Sequence, residues 1–135
     1  MTKNEAFDTE LFFSALADKT RLRLLNLIGD EEVCVCFFVE VLGTNQPKIS
    51  RHLAYLKRAG LVTSRKDWKW SHYRIKSPEN AYAADVFAKV REWIKNDPEM
   101  QTDRLSMISM CCAPASQQPI SIIGAPKPKA ALATT

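Results

Sequence analysis

The stretch from Val33 to Gly60 limits the possible folds more than any other part of this chain. Gln46 to Ala59 carries an apolar stripe, Ile49, Leu53 and Leu56, at helical spacing. Pro47 sits in the first turn, where it removes no intrahelical hydrogen bond, and Gly60 stands at the C-terminal stop. Gly43-Thr44-Asn45 is a short turn before this helix. Val33 to Leu42 is so uniformly apolar, and so rich in β-branched and aromatic residues, that periodicity does not separate strand from helix. The turn and helix that follow favour a helix there. Two helices joined by a three-residue turn containing glycine form a helix-turn-helix.

The flanking segments extend that unit. Upstream, Thr9 or Asp8 caps a helix carrying Leu11, Phe12, Ala15 and Leu16, and Asp18 caps a second one ended by Gly29. Downstream, Leu61–Lys66 and Trp70–Ile75 read as strands around the turn Asp67-Trp68-Lys69. Pro78 opens a long helix, Glu79 to Asn96, with an apolar face of Tyr82, Val86, Val90 and Trp93, beside Phe87 and Ile94. The order predicts a mainly α fold with a small β-hairpin, a winged helix-turn-helix, over residues 9–97. Residues 1–8 read as a flexible N-terminus. Residues 98–112 read as a C-terminal segment that adds a helical turn or two and bears a cysteine pair. Residues 113–135 hold four prolines and neither acids nor aromatics, the composition of a flexible tail, although Ile120, Ile122 and Ile123 offer it a way to dock.

At 135 residues the chain is expected to form one domain. Its longest apolar run, Val33 to Val39, is far below the roughly 18 residues of a membrane span, and the first ten residues hold no signal-peptide core. A cytoplasmic location is expected, where cysteines serve more often as free thiols or metal ligands than as disulfides.

Charge is unevenly spread. Residues 46–76 hold nine Lys/Arg against one acid, Asp67, whereas the rest of the chain is acidic or neutral. A confined basic block of this kind is an electrostatic footprint of nucleic-acid binding. In a winged helix the second helix of the turn motif enters the major groove, N-terminal residues first. Gln46, Lys48, Ser50 and Arg51, with Tyr55 one turn on, are therefore the candidate base readers, by the pairing of Gln with adenine and Arg with guanine. Lys48, Lys57, Arg65, Lys66 and Lys69 are candidate phosphate contacts, which hold register without carrying sequence information.

The run Gln46-Pro47-Lys48-Ile49-Ser50-Arg51-His52-Leu53, the Ala59-Gly60-Leu61 junction and the hairpin residues Arg65-Lys66, Lys69-Trp70 and His72-Tyr73-Arg74 resemble the ArsR/SmtB family of metal-responsive repressors. Ala15-Leu16-Ala17-Asp18-Lys19-Thr20-Arg21-Leu22 is similar to that family's opening. The resemblance spans about residues 9–77 and is strongest to the arsenic-responsive members. It implies a homodimer built on the first and last helices, an inverted-repeat operator, and repression relieved by a metal or metalloid. The family usually carries glycine near position 68, where this chain has Trp68, a departure that bears on the conformation of the hairpin tip; simple partial exposure of the ring is the first reading and a contact to the minor groove or the DNA backbone the second.

Four cysteines remain as candidate inducer ligands: Cys34, Cys36, Cys111 and Cys112. Thiolate-only sites select soft ions, and a helix N-terminus favours the thiolate. Cys34 and Cys36 would point about 200° apart on an ideal helix, so they converge only if the first turn is frayed or distorted. The resemblance implies a Cys-x-Cys-x-x-Cys site for As(III) or Sb(III). Cys34 and Cys36 match its first two members and Val39 stands in the third place, which leaves Cys111 and Cys112 as the source of a third thiolate. The zinc sensors' Asp/His ligands on the last helix have no counterpart, since that helix contains no His. His52 and His72 read as structural or DNA-facing.

Cd(II) or Pb(II) sensing is the alternative, weakened by the absence of Cys from residues 1–33. A thiol redox switch is another. An enzyme of the arsenate reductase kind would need an oxyanion loop after its cysteine, and no glycine lies within six residues after Cys34 or Cys36. A non-enzymatic DNA-binding regulator is therefore expected.

Overall fold

The computed structural model describes residues 6–128. Six helices and three strands follow in the order α1 (Thr9–Leu16), α2 (Lys19–Ile28), β1 (Val33–Cys34), α3 (Val35–Leu42), α4 (Gln46–Arg58), β2 (Val62–Asp67), β3 (Trp70–Ile75), α5 (Ala81–Lys95) and α6 (Pro98–Cys112). The fold is mainly helical with a small antiparallel sheet of strand order β1-β3-β2. Short polar side chains start five of the helices. Asp8, Asp18, Asn45, Asn80 and Asp97 each accept a hydrogen bond from the backbone amide three residues on. Each cap contributes about 1 kcal/mol.

The core gathers Phe12 from α1, Leu24, Leu25 and Ile28 from α2, Phe37 and Phe38 from α3, and Ile49, Leu53 and Leu56 from α4. The stripe on α4 thus faces inward as its spacing requires, and the opposite face of the helix is left exposed.

Four sequence expectations need correction. Val33–Leu42 is not one helix. Its first two residues form β1, paired with β3 in the register Val33↔Tyr73 and Cys34↔His72, and the helix begins at Val35. The long helix after Pro78 begins at Ala81 rather than Glu79, because Asn80 caps it.

Residues 98–112 are a full fifteen-residue helix, not a turn or two, and they belong to the same core. Arg23 of α2 holds the buried Asp103 of α6 by two hydrogen bonds of 2.7 and 3.0 Å, and the Asn26 side chain donates to the Met100 carbonyl at 2.9 Å.

Residues 113–128, read from composition as flexible, form two short 3-10 turns, Ala115–Gln117 and Ile120–Ile122. They lie against the protein. Ile122 is only 2% exposed, Ser121 Oγ donates to Glu40 of α3, and the Gln118 amide reaches carbonyls at the end of α6. Those expectations that concern residues 1–5 and 129–135 lie outside the described residues.

Candidate nucleic-acid interface and thiol pair

The basic block is distributed over α4 and the β2–β3 hairpin. Gln46, Lys48, Ser50 and Arg51 are all exposed on the first turns of α4. Asn45 accepts from the Lys48 amide and fixes where the helix starts, and hence which residues lead it. Tyr55 sits differently. Its ring is half-buried between the Arg21 guanidinium, 4.1 Å from the centroid, and that of Arg58, at 4.8 Å. Arg21 is itself anchored on the carbonyls of Ala15 and Ser14 and contacts His52 Nδ1 at 3.2 Å. Tyr55 and His52 are thus tied to α1 and α2, and they orient the recognition helix from behind.

The hairpin cations are likewise unequal. Arg65 makes a forked pair with Glu32 at 2.7–2.9 Å, which raises the guanidinium pKa and lowers that of the carboxylate. It is therefore committed within the chain. Lys57 donates to Ser64 Oγ at 2.9 Å, tying the end of α4 to β2. Lys66 and Lys69 are exposed, and Lys69 Nζ lies 4.7 Å from the Trp68 ring and 5.0 Å from the Trp70 ring.

The hairpin turns through two residues, Trp68 and Lys69. Trp68 is the one non-glycine residue among those described with positive φ, at 58°.

Cys34 and Cys36 do meet. Cys36 Sγ donates to Cys34 Sγ at 3.0 Å. Of the two ways for them to converge, a frayed or a distorted first turn, the structure shows the first. Cys34 is the residue before the helix, extended at φ −71° and ψ 140° in β1, so helical geometry does not apply between the two. The Cys36 hydrogen bond holds the Cys34 thiol down to about 7, helped by backbone amides and opposed by burial. Cys36, the donor, is pushed up. Cys34 is therefore the thiol of the pair that ionises first, with Cys36 as its hydrogen-bond donor. Ultraviolet thiolate absorbance is expected to grow in around pH 7 and to be lost from that range in Cys34→Ser.

Among the described residues no third Cys, His, Asp or Glu joins this pair in a group able to hold an ion. Cys111 is fully buried at the end of α6, where burial pushes its thiol up to about 11, and Cys112 beside it is exposed.

Glu32 was not singled out from the sequence, yet it fastens the hairpin to the start of β1 through Arg65. His72 lies opposite Cys34 in the sheet, almost fully buried, with Nε2 unpartnered. A cross-strand register of this kind has no local signature.

The α5 face is divided. Ala83, Phe87 and Ile94 are buried, whereas Tyr82 is 84% and Trp93 77% exposed. Trp93, Val90, Phe13, Leu16 and Leu22 line an open groove of about 650 Å³ between α1 and α5. No described helix is long and apolar enough to cross a membrane.

Residues 18–64, from α2 into β2, match the model of the bacterial regulatory protein arsR family. The arsenical resistance operon repressor of Escherichia coli is 47% identical over 75 residues, which cover 55% of this chain and 64% of that one, just under two thirds of its length. The arsenic resistance transcriptional regulator ArsR1 of Pseudomonas putida is 39% identical over 99 residues, covering 69% of this chain and 77% of that one. Among solved structures, reduced HlyU from Vibrio cholerae superposes with a TM-score of 0.53 at 26% identity, covering 62% of this chain and 85% of that one. A winged helix-turn-helix with these relatives places the chain in the ArsR family of bacterial regulatory proteins.

Proposed function

We propose that this protein is a transcriptional repressor that binds an inverted-repeat operator as a homodimer and leaves it when As(III) or Sb(III) is captured by cysteine thiolates. One observation carries the reading: the 3.0 Å contact of two soft donors, Cys34 and Cys36, at the joint between hairpin sheet and helix-turn-helix. Two thiols at that distance suit a soft, thiophilic ion. The third donor is assigned to the pair at the end of α6, from the same chain or a second copy. Cys112 suits it better than Cys111, whose thiol is held protonated by burial. The relatives' names, an arsenical resistance repressor and an arsenic resistance regulator, agree with this inducer class.

The deciding experiment titrates the protein, bound to a duplex selected by the protein from random sequence, under reducing conditions. Arsenite or antimonite is expected to release it at lower concentration than Cd(II) or Pb(II). The reverse order moves the inducer class to the divalent soft ions. Release by peroxide alone, without metalloid, assigns the thiols to a redox switch.

Two further outcomes belong to this reading. The exposed Tyr82 and Trp93 on α5 are assigned to the dimer interface, and Trp93→Asp is expected to give monomers in sedimentation and to weaken operator binding. A wild-type monomer at micromolar concentration counts against the dimer. Arg51→Ala is expected to lose about ten- to hundredfold in discrimination between selected and random duplexes, the worth of one bidentate base contact. Lys69→Ala is expected to lower both affinities together. An unchanged ratio in Arg51→Ala removes that residue from base readout.

A further inference from the structure

Trp68 is a large apolar side chain, 78% exposed, at the tip of the hairpin. Its backbone is in the left-handed region at φ 58°, which strains a residue with a Cβ and costs glycine almost nothing. The ring is not part of the core, and the Lys69 ammonium lies 4.7 Å from its centroid. A strained, exposed aromatic that the fold does not need points to a partner outside the chain.

The surroundings define that partner. Lys66 and Lys69 flank the tip, and Asp67 lies 3.9 Å from Arg65. The hairpin leaves the C-terminal end of α4 and runs six residues per strand, about 20 Å at strand rise. One turn of duplex is about 34–36 Å, so roughly half of that separates a major-groove centre from the next minor groove. The hairpin is therefore long enough to span from a major groove that holds α4 to the adjacent minor groove.

We propose that Trp68 is an apolar wedge that enters the minor groove about half a turn outside each half-site, with Lys66 and Lys69 on the phosphates beside it. The inference rests on the DNA-binding reading above. Wedges unstack a base step, and the cost depends on which step it is: TA and CA/TG steps open easily and A-tracts resist. Trp68 thus makes the protein select a deformable flanking step that no hydrogen bond reads.

The test measures binding of the full chain to a duplex that the wild type selects from random sequence, with the flanking step as either TA or AA. Trp68→Gly and Trp68→Asn both suit a left-handed turn residue, and thermal melting checks that they fold. Wild type is expected to prefer the TA flank. Both variants are expected to bind the TA duplex about tenfold more weakly, the size of one stacked aromatic, and to treat the flanks alike. Trp68→Phe is expected to keep the preference. Variants that bind as tightly as wild type, or that keep its flank preference, overturn the wedge and leave the repressor reading standing. A wild type that selects no duplex overturns both.

Discussion

Cys34→Ser and Cys36→Ser are each expected to hold operator DNA as the wild type does and to stay bound at arsenite concentrations that clear it. Serine is nearly isosteric with cysteine and a poor ligand for a soft ion, so fold and DNA contacts survive while the inducer is lost. In wild type the inducer is expected to weaken DNA affinity about thousandfold, which corresponds to about 4 kcal/mol of coupling. By reciprocity, DNA must weaken inducer binding by the same factor, and arsenite titrations with and without duplex read that factor independently. The Cys111→Ser/Cys112→Ser double variant sharpens the test. Strongly reduced release in it assigns the third thiolate to the end of α6. Normal release leaves a two-thiolate site at Cys34 and Cys36.

Ile122→Ala is expected to cost about 3 kcal/mol, in the range for burying alanine where isoleucine filled the space. At this chain length that lowers Tm by about 10 °C. The residue lies in a proline-rich stretch whose composition alone predicts no effect. An unchanged melting temperature would return residues 113–128 to the status of a loose tail. Exposed Ile120 in the same turn, 89% exposed, is the internal control and is expected to tolerate alanine.

These two residues show where the sequence was readable and where it was not. Helix α4 and the hairpin announce themselves locally: stripe, terminal proline, Gly60 and the two strand patterns all lie within thirty residues. Helix α6 does not. Its inward stripe is Met100, Asp103, Met107 and Cys111, and the acid in second place breaks the apolar pattern. Asp103 is tolerable inside because Arg23, eighty residues earlier, neutralises it. Ile122 is hidden for the same reason, since the turn that carries it packs against α3, some eighty residues earlier. The thiol pair was half legible. The spacing of Cys34 and Cys36 flagged them, and the resemblance gave them a role. Their meeting depends on Cys34 pairing with His72, a contact across the sheet that no local pattern encodes.

That pairing has a mechanical consequence. Cys34 belongs to the sheet of the hairpin, and Cys36 belongs to the helix that supports α4. The peptide at Val35 is the seam between the two parts to which the proposed function assigns the DNA contacts. An ion bridging both sulfurs would rivet that seam at one angle, whereas duplex DNA requires the angle at which groove-reading helix and hairpin tip fit together. Release then needs no melting of α3. On that reading a fixed rotation of about 10°, taken along the roughly 20 Å hairpin, displaces its tip by about 3–4 Å.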